Sequence, residues 1–233
     1  MLRPSLCRSR PRRPPGAARV LTTDGPHISS DLAHRASLTS NVVARWFTSD
    51  LHLGHANIIG FCDRPWRSVE EMNEALIERW NARVHATDVV VILGDFVLGN
   101  KEQNLPLVRR LQGHKQLLPG NHDNVWPGGR RNWRDWLAAY ADVGIEVIEM
   151  LPPQLSLPAT IGSTPTQLAH FPRFGDSHDQ DRYTAWRPTE PGLLLHGHTH
   201  TSIRLAEDHL HVGVDAWDYA PVSEDELVAL LDA

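Results

Sequence analysis

The sequence predicts an α/β fold of stacked sheets with helices on the outside. Three observations predict it. Helical and strand patterns alternate through the first half of the chain, and then several strands come one after another. Short continuous apolar runs, such as Val89–Leu93, suit strands buried on both faces. Most such runs lead straight into clusters of Asp, Asn and His. A buried strand delivers the residues after it to one sheet edge, the usual ligand side of an open α/β sheet.

The elements are taken in chain order. Val42–Thr48 is a strand candidate that ends at Asp50. Ser68-Val69-Glu70-Glu71 reads as a capping box opening a helix. Met72, Leu76, Trp80 and Val84 are spaced by four and form one apolar stripe on it. Asp88–Leu93 is a buried strand that runs into Gly94-Asp95. A shorter helix is expected over Leu107–Leu111, starting near Pro106. Lys115–Leu118 is a strand ending at Gly120-Asn121, Trp133–Tyr140 looks helical, and Ile145–Met150 looks extended. Strands are then expected at Leu155–Ala159, Thr166–Ala169, Gly192–Leu195, Ser202–Ala206 and Leu210–Val214. A second capping box, Ser223-Glu224-Asp225-Glu226, opens a C-terminal helix through Leu230.

The chain has 233 residues, 41% hydrophobic and 22% charged, enough for one sizeable core. Residues 42–233 read as a single domain. Residues 1–41 read as a disordered arm or a start assigned too far upstream, with an organellar transit peptide as the alternative. Six arginines and no acid lie in residues 1–20, so the net charge of −5 becomes −11 for residues 21–233. A body that acidic offers no footprint for long nucleic acid. No apolar stretch approaches the roughly 20 residues that span a bilayer. Two cysteines, Cys7 and Cys62, make no spaced motif, which favours a reducing, cytoplasmic setting. His85, His114, His209 and His211 are read as surface or satisfied core residues.

Five clusters carry the chemistry: Ser49-Asp50-Leu51-His52, Gly94-Asp95, Gly120-Asn121-His122-Asp123, a lone His170, and Gly197-His198-Thr199-His200. In extended chain, residues i and i+2 project to one side, so Asp50 with His52, and His198 with His200, can each face one ion. Asp95 comes after the most apolar strand, where an unpaired carboxylate is expensive and a cation is one of the few groups that offsets it. Gly94, Gly120 and Gly197 precede ligands at turns where a side chain would obstruct. A donor set of Asp, Asn and His without Cys fits Mn, Fe, Zn, Co or Ni at an open catalytic site, with Mn favoured. Seven ligands, Asp50, His52, Asp95, Asn121, His170, His198 and His200, exceed what one catalytic ion takes and suit two divalent ions.

In this order the clusters resemble the motifs of the calcineurin-like metallophosphoesterases, over about residues 44–222. Phe47–Cys62 and Val212–Val222 also look like a small bacterial and phage branch of that superfamily. The resemblance implies two mixed β-sheets packed as a sandwich flanked by helices, the α-β-β-α metallophosphatase architecture, with a dinuclear site at one edge. It implies that Asp50, His52 and His200 hold one metal, that Asp95 bridges, and that Asn121, His170 and His198 hold the other. His122 would contact phosphate and protonate the leaving group, and Asp123 would orient and charge His122. Many members carry an acid three residues after the second-motif Asp. Leu98 stands there in this chain, so the local support of that loop is expected to differ.

The expected reaction is hydrolysis of a phosphoester. Two cations clamp the phosphate and make hydroxide available near neutral pH, and His122 donates a proton to the leaving oxygen. The expected substrate is small, a nucleotide-like or cyclic phosphodiester. Arg173, three beyond His170, could meet its phosphate beside Asn121 and His122. Trp126–Trp136 is rich in Gly, Arg and Trp. It could be a lid that stacks on a nucleobase, or Trp133 and Trp136 could simply pack a helix onto the core. His55 could line the site or be structural. Phosphomonoesterase, nuclease and non-enzymatic interaction module are the rival readings.

Overall fold

The computed structural model describes residues 43–233. The expectation for residues 1–41 lies outside the described residues. The chain runs β1 (Arg45–Thr48), α1 (Ala56–Phe61), α2 (Val69–Asn81), β2 (Val89–Ile92), α3 (Lys101–Asn104), β3 (His114–Leu117), α4 (Leu137–Asp142) and β4 (Ile145–Val147). It continues with β5 (Leu157–Ile161), β6 (Thr164–Leu168), β7 (Leu193–His196), β8 (Leu205–Ala206), β9 (His209–His211), β10 (Val222–Ser223) and α5 (Glu224–Leu231).

Two five-stranded sheets result, in the orders β10-β1-β2-β3-β4 and β5-β6-β7-β9-β8. Both are mixed. In the first, β1 to β4 are parallel and β10 is antiparallel. In the second, β6, β7 and β9 are parallel, with β5 and β8 antiparallel at the edges. The expected sandwich with flanking helices is the observed architecture.

Strand alternation sorts the core. Val90 and Ile92 of β2 pack toward Met72, Leu76 and Trp80 of α2. Val91 and the adjoining Leu93 pack the other way, against Leu168, Leu195 and Leu210 of the second sheet. A one-residue slip of β2 would exchange these two faces, so both cores hold its register. The Ser68 hydroxyl caps α2 by accepting the Glu71 amide. The Glu71 carboxylate accepts from the Arg67 amide, one residue earlier than a reciprocal box requires. Val84 lies past the end of α2 yet is fully buried. The box at Ser223 is complete.

The helix expected at Leu107–Leu111 is instead a 3₁₀ segment, Leu105–Arg110, directly after α3. Trp133–Tyr140 divides into a 3₁₀ turn and α4. Three of these elements had no sequence expectation: α1, α3 and the two-residue β10. Among the described residues, no helix is long and apolar enough to cross a membrane.

Candidate metal centre

Because β1, β2 and β3 are parallel, their C-terminal ends share one edge, and Asp50, Asp95 and Asn121 lie just beyond them there. The second sheet delivers His170 after β6 and His198 and His200 after β7. Backbone bonds join the loops: Ser49 donates to the Val212 carbonyl, Asp50 to Gly94, and His52 to Asp95.

The ligand pairs are not extended. Asp50, His52, Asp95, His198 and His200 all have φ between 50° and 71°, in the left-handed region. Non-glycine residues visit that region rarely, and such strain gathers at functional sites. The i, i+2 spacing therefore converges through tight turns, not through the pleat. Glycine makes room between them. Gly94 has φ +83°, and a Cβ there would lie 2.5 Å from His170 Nδ1. A Cβ on Gly120 would lie 2.3 Å from Asp95 Oδ1.

Of three groups of donor atoms among the described residues, two are made of expected ligands, Asp50, His52 and His200, and Asp95, His170 and His198, while the third joins His200 to Cys62 and Asp215. Asp95, a member of the second group, also reaches the first. Its Oδ2 is 3.8 Å from His52 Nε2 and 3.6 Å from His170 Nε2. Asn121 Oδ1 is 3.1 Å from His170 Nε2. All seven expected ligands thus come together. All but Asn121 are buried.

Surrounding groups aim the ring nitrogens. His170 Nδ1 donates to the Leu93 carbonyl at 2.8 Å. His198 Nε2 donates to Asp176 at 3.0 Å, and His200 Nδ1 to Asp215 at 3.1 Å. In each, the other ring nitrogen is turned toward the ligand cluster, the usual arrangement around metal-binding histidines. Arg64 grips both oxygens of Asp215 at 2.9 Å and also donates to the carbonyls of Asp50 and Leu51. His200 and Asp50 are thereby tied to one buried cation. Asp50 itself accepts from the Ser49 hydroxyl and the His198 amide.

Burial pushes His198 down to about 3 and His52 well below its ordinary range. Both are neutral imidazoles at pH 7, with a lone pair to offer. Burial opposes ionisation of Asp176, but hydrogen bonds from Arg182 and His198 outweigh it and hold the group below its ordinary range. Asp215 behaves alike, with the Arg64 charge outweighing burial.

His122 is exposed, with its ring 5.5 Å from that of His52. Its backbone is pinned at both ends: its amide donates to Asp95 Oδ1, and its carbonyl accepts from Lys101 Nζ at 2.8 Å. The expected Asp123–His122 contact is not what forms. The Asp123 carboxylate accepts from the amides of Asp95, Gly120 and Phe96, so it fastens two ligand loops together. Three amide donors at close range take up its oxygens and turn it away from the ring.

Arg173 is also placed differently from expectation. Its guanidinium bonds Asp208 and the carbonyls of Glu190 and Gly192, none of which belongs to the cluster. His55 is half-buried beside the site, its ring 5.4 Å from His52. Trp126 packs on Phe171, Tyr183 and Trp186, Trp133 is buried, and Trp136 packs partly buried against the core beneath α2. The Leu98 loop is held by Asn104, whose amide donates to the Leu98 carbonyl at 2.7 Å. Asp176, Asp215, Arg64 and Lys101 had no sequence signal. Each acts through a partner at least 15 residues away.

The site fits divalent cations on its own geometry. His52 is buried with both ring nitrogens unpartnered, a cost that an ion held by one of them would reduce. Each of the two groups of expected ligands combines one carboxylate with two histidines, a hard-and-imidazole donor set that suits a divalent cation.

The chain is 35% identical over 196 residues to the Gene 66 protein of Mycobacterium phage L5, covering 80% of this chain and 93% of that one. It is 37% identical to the Gene 66 protein of Mycobacterium phage D29, covering 77% and 92%. It is 31% identical to the uncharacterized protein MJ1445 of Methanocaldococcus jannaschii, covering 80% and 90%. Among solved structures, the protein of unknown function AQ665 from Aquifex aeolicus superposes with a TM-score of 0.58 at 21% identity. That match covers 81% of this chain and 99% of the other, and it speaks to fold. The family model for calcineurin-like phosphoesterases matches residues 45–202, and the chain belongs to that family.

Proposed function

We propose that this protein is a dinuclear-metal phosphodiesterase acting on a small, nucleotide-like or cyclic phosphodiester. The observation that carries the reading is the position of Asp95, within 4 Å of a histidine from each donor group. Asp50, His52 and His200 would hold one cation, Asn121, His170 and His198 the other, and Asp95 would bridge. When bound, such a pair lowers the pKa of water and neutralises charge on the phosphoryl group.

The chain's own residues do the rest. His122 stands exposed over the cluster on a backbone fixed by Asp95 and Lys101, so its ring is free to donate a proton to the leaving oxygen. Asn121 offers an amide to a phosphoryl oxygen. Asp176 and Asp215 keep His198 and His200 in one tautomer and one orientation. The acidic body, −11 over residues 21–233, argues for a compact substrate over a polymer.

Purified protein with Mn²⁺ is tested on an aryl phosphodiester, an aryl phosphomonoester and single-stranded DNA. Turnover of the diester supports the reading. Turnover of the monoester alone, of the polymer alone, or of nothing replaces it with a phosphatase, a nuclease or a binding module.

A further inference from the structure

Beside the ligand cluster lies an open cleft of about 590 Å³. Asn121 and His122 line it together with Lys101, Asn124, Arg130 and Trp136. A general acid must reach the leaving oxygen, so the group that departs from phosphorus does so on the His122 side. The cleft is where that group would lie.

Its charge is distinctive. Lys101 is buried with its ammonium on the His122 carbonyl, and the carboxylates of Asp123 and Asp95 lie near enough to offset its charge, which leaves Arg130 as the cation on the lining that is open to a ligand. Arg130 is exposed, and among the described residues its guanidinium makes no hydrogen bond, ion pair or ring contact. Arg134, four residues on, is by contrast stacked on Trp133 and paired with Glu149. Glu102 also lines the cleft, and among the described residues it makes no ion pair with Arg130.

We propose that this cleft receives the leaving group of the substrate and selects leaving groups that carry an anionic substituent, which pairs with Arg130. This rests on the phosphodiesterase reading above.

The test uses two matched aryl phosphodiesters. In one the leaving nitrophenol carries a carboxylate, in the other the isosteric carboxamide. The full chain with Mn²⁺ should show a KM for the carboxylate ester about fivefold lower, the scale of a partly exposed charge pair. Arg130→Ala should bring the ratio near one, and Arg130→Glu should invert it. Arg131→Ala, one residue on and outside the cleft lining, should keep the wild-type ratio. A second measurement needs no turnover: the two free nitrophenols are titrated against tryptophan fluorescence. Wild type should bind the carboxylate more tightly, and Arg130→Ala should not. A wild type without preference, or a preference that survives Arg130→Ala or vanishes in Arg131→Ala, overturns the proposal. Preference in binding without hydrolysis of either ester upholds the cleft and overturns the phosphodiesterase reading. Hydrolysis of both without preference does the reverse.

Discussion

His198 donates through Nε2 to Asp176 at 3.0 Å, although 22 residues separate them. Asp176 is itself clamped by Arg182 and Arg187. The loop that carries this carboxylate is therefore built around orienting one ring of the centre. Asp176→Asn should weaken divalent-metal binding about 10- to 100-fold, the usual cost of losing such a partner. Titration calorimetry with Mn²⁺ reads it, with a thermal melt as the check on folding. Unchanged affinity at both sites in a folded variant would refute the orienting role.

His122 belongs to neither donor group, and its ring is exposed. His122→Ala should therefore keep both ions while turnover falls about 10²- to 10⁴-fold, the range for a general acid. The loss should shrink for phenols of low pKa, which leave without a proton. Wild-type rates on an alkyl ester would sink the acid role.

Much of this centre was legible because its ligands come directly after apolar strands. Asp95 ends the run Val89–Leu93, and a buried run announces both the strand and its edge. Glycines before Asp95 and Asn121 marked the tight turns. What the local pattern could not carry is pairing across long stretches of chain. Arg64 meets Asp215 across 151 residues, and nothing near either one signals it. Asp176 sits in a polar loop without periodicity. Asp123 shows the opposite failure: its neighbour His122 suggested a contact in sequence, while folding gave its oxygens to three amides.

Asp95→Asn should release metal from both groups, because one carboxylate stands between His52 and His170. An amide keeps the shape but removes the charge that two cations share. Elemental analysis of purified variant should show less than half the wild-type content. Two ions retained per chain would refute the bridging position.

Asp88 tests the frame remote from the centre. It accepts from the amides of Ala44 and His85 and from the Trp46 indole, at 3.2, 2.8 and 3.0 Å. These bonds tie the start of β1 to the turn before β2. Burial opposes its ionisation, but the hydrogen bonds from His85, Trp46 and Ala44 prevail and hold its pKa below the ordinary carboxylate value. A depressed folded pKa means that the unfolded chain binds the proton first as pH falls. The stability from this group is therefore complete above about pH 4 and is lost as pH drops through the folded value. Asp88→Asn should cost about 1–3 kcal/mol at pH 7, the worth of hydrogen bonds to a charged group. Urea unfolding should find that gap constant from about pH 5 to 8 and narrowing below about pH 4. The variant has no carboxyl to protonate at this position, so a gap that widens in acid would mean that Asp88 is not held as an anion.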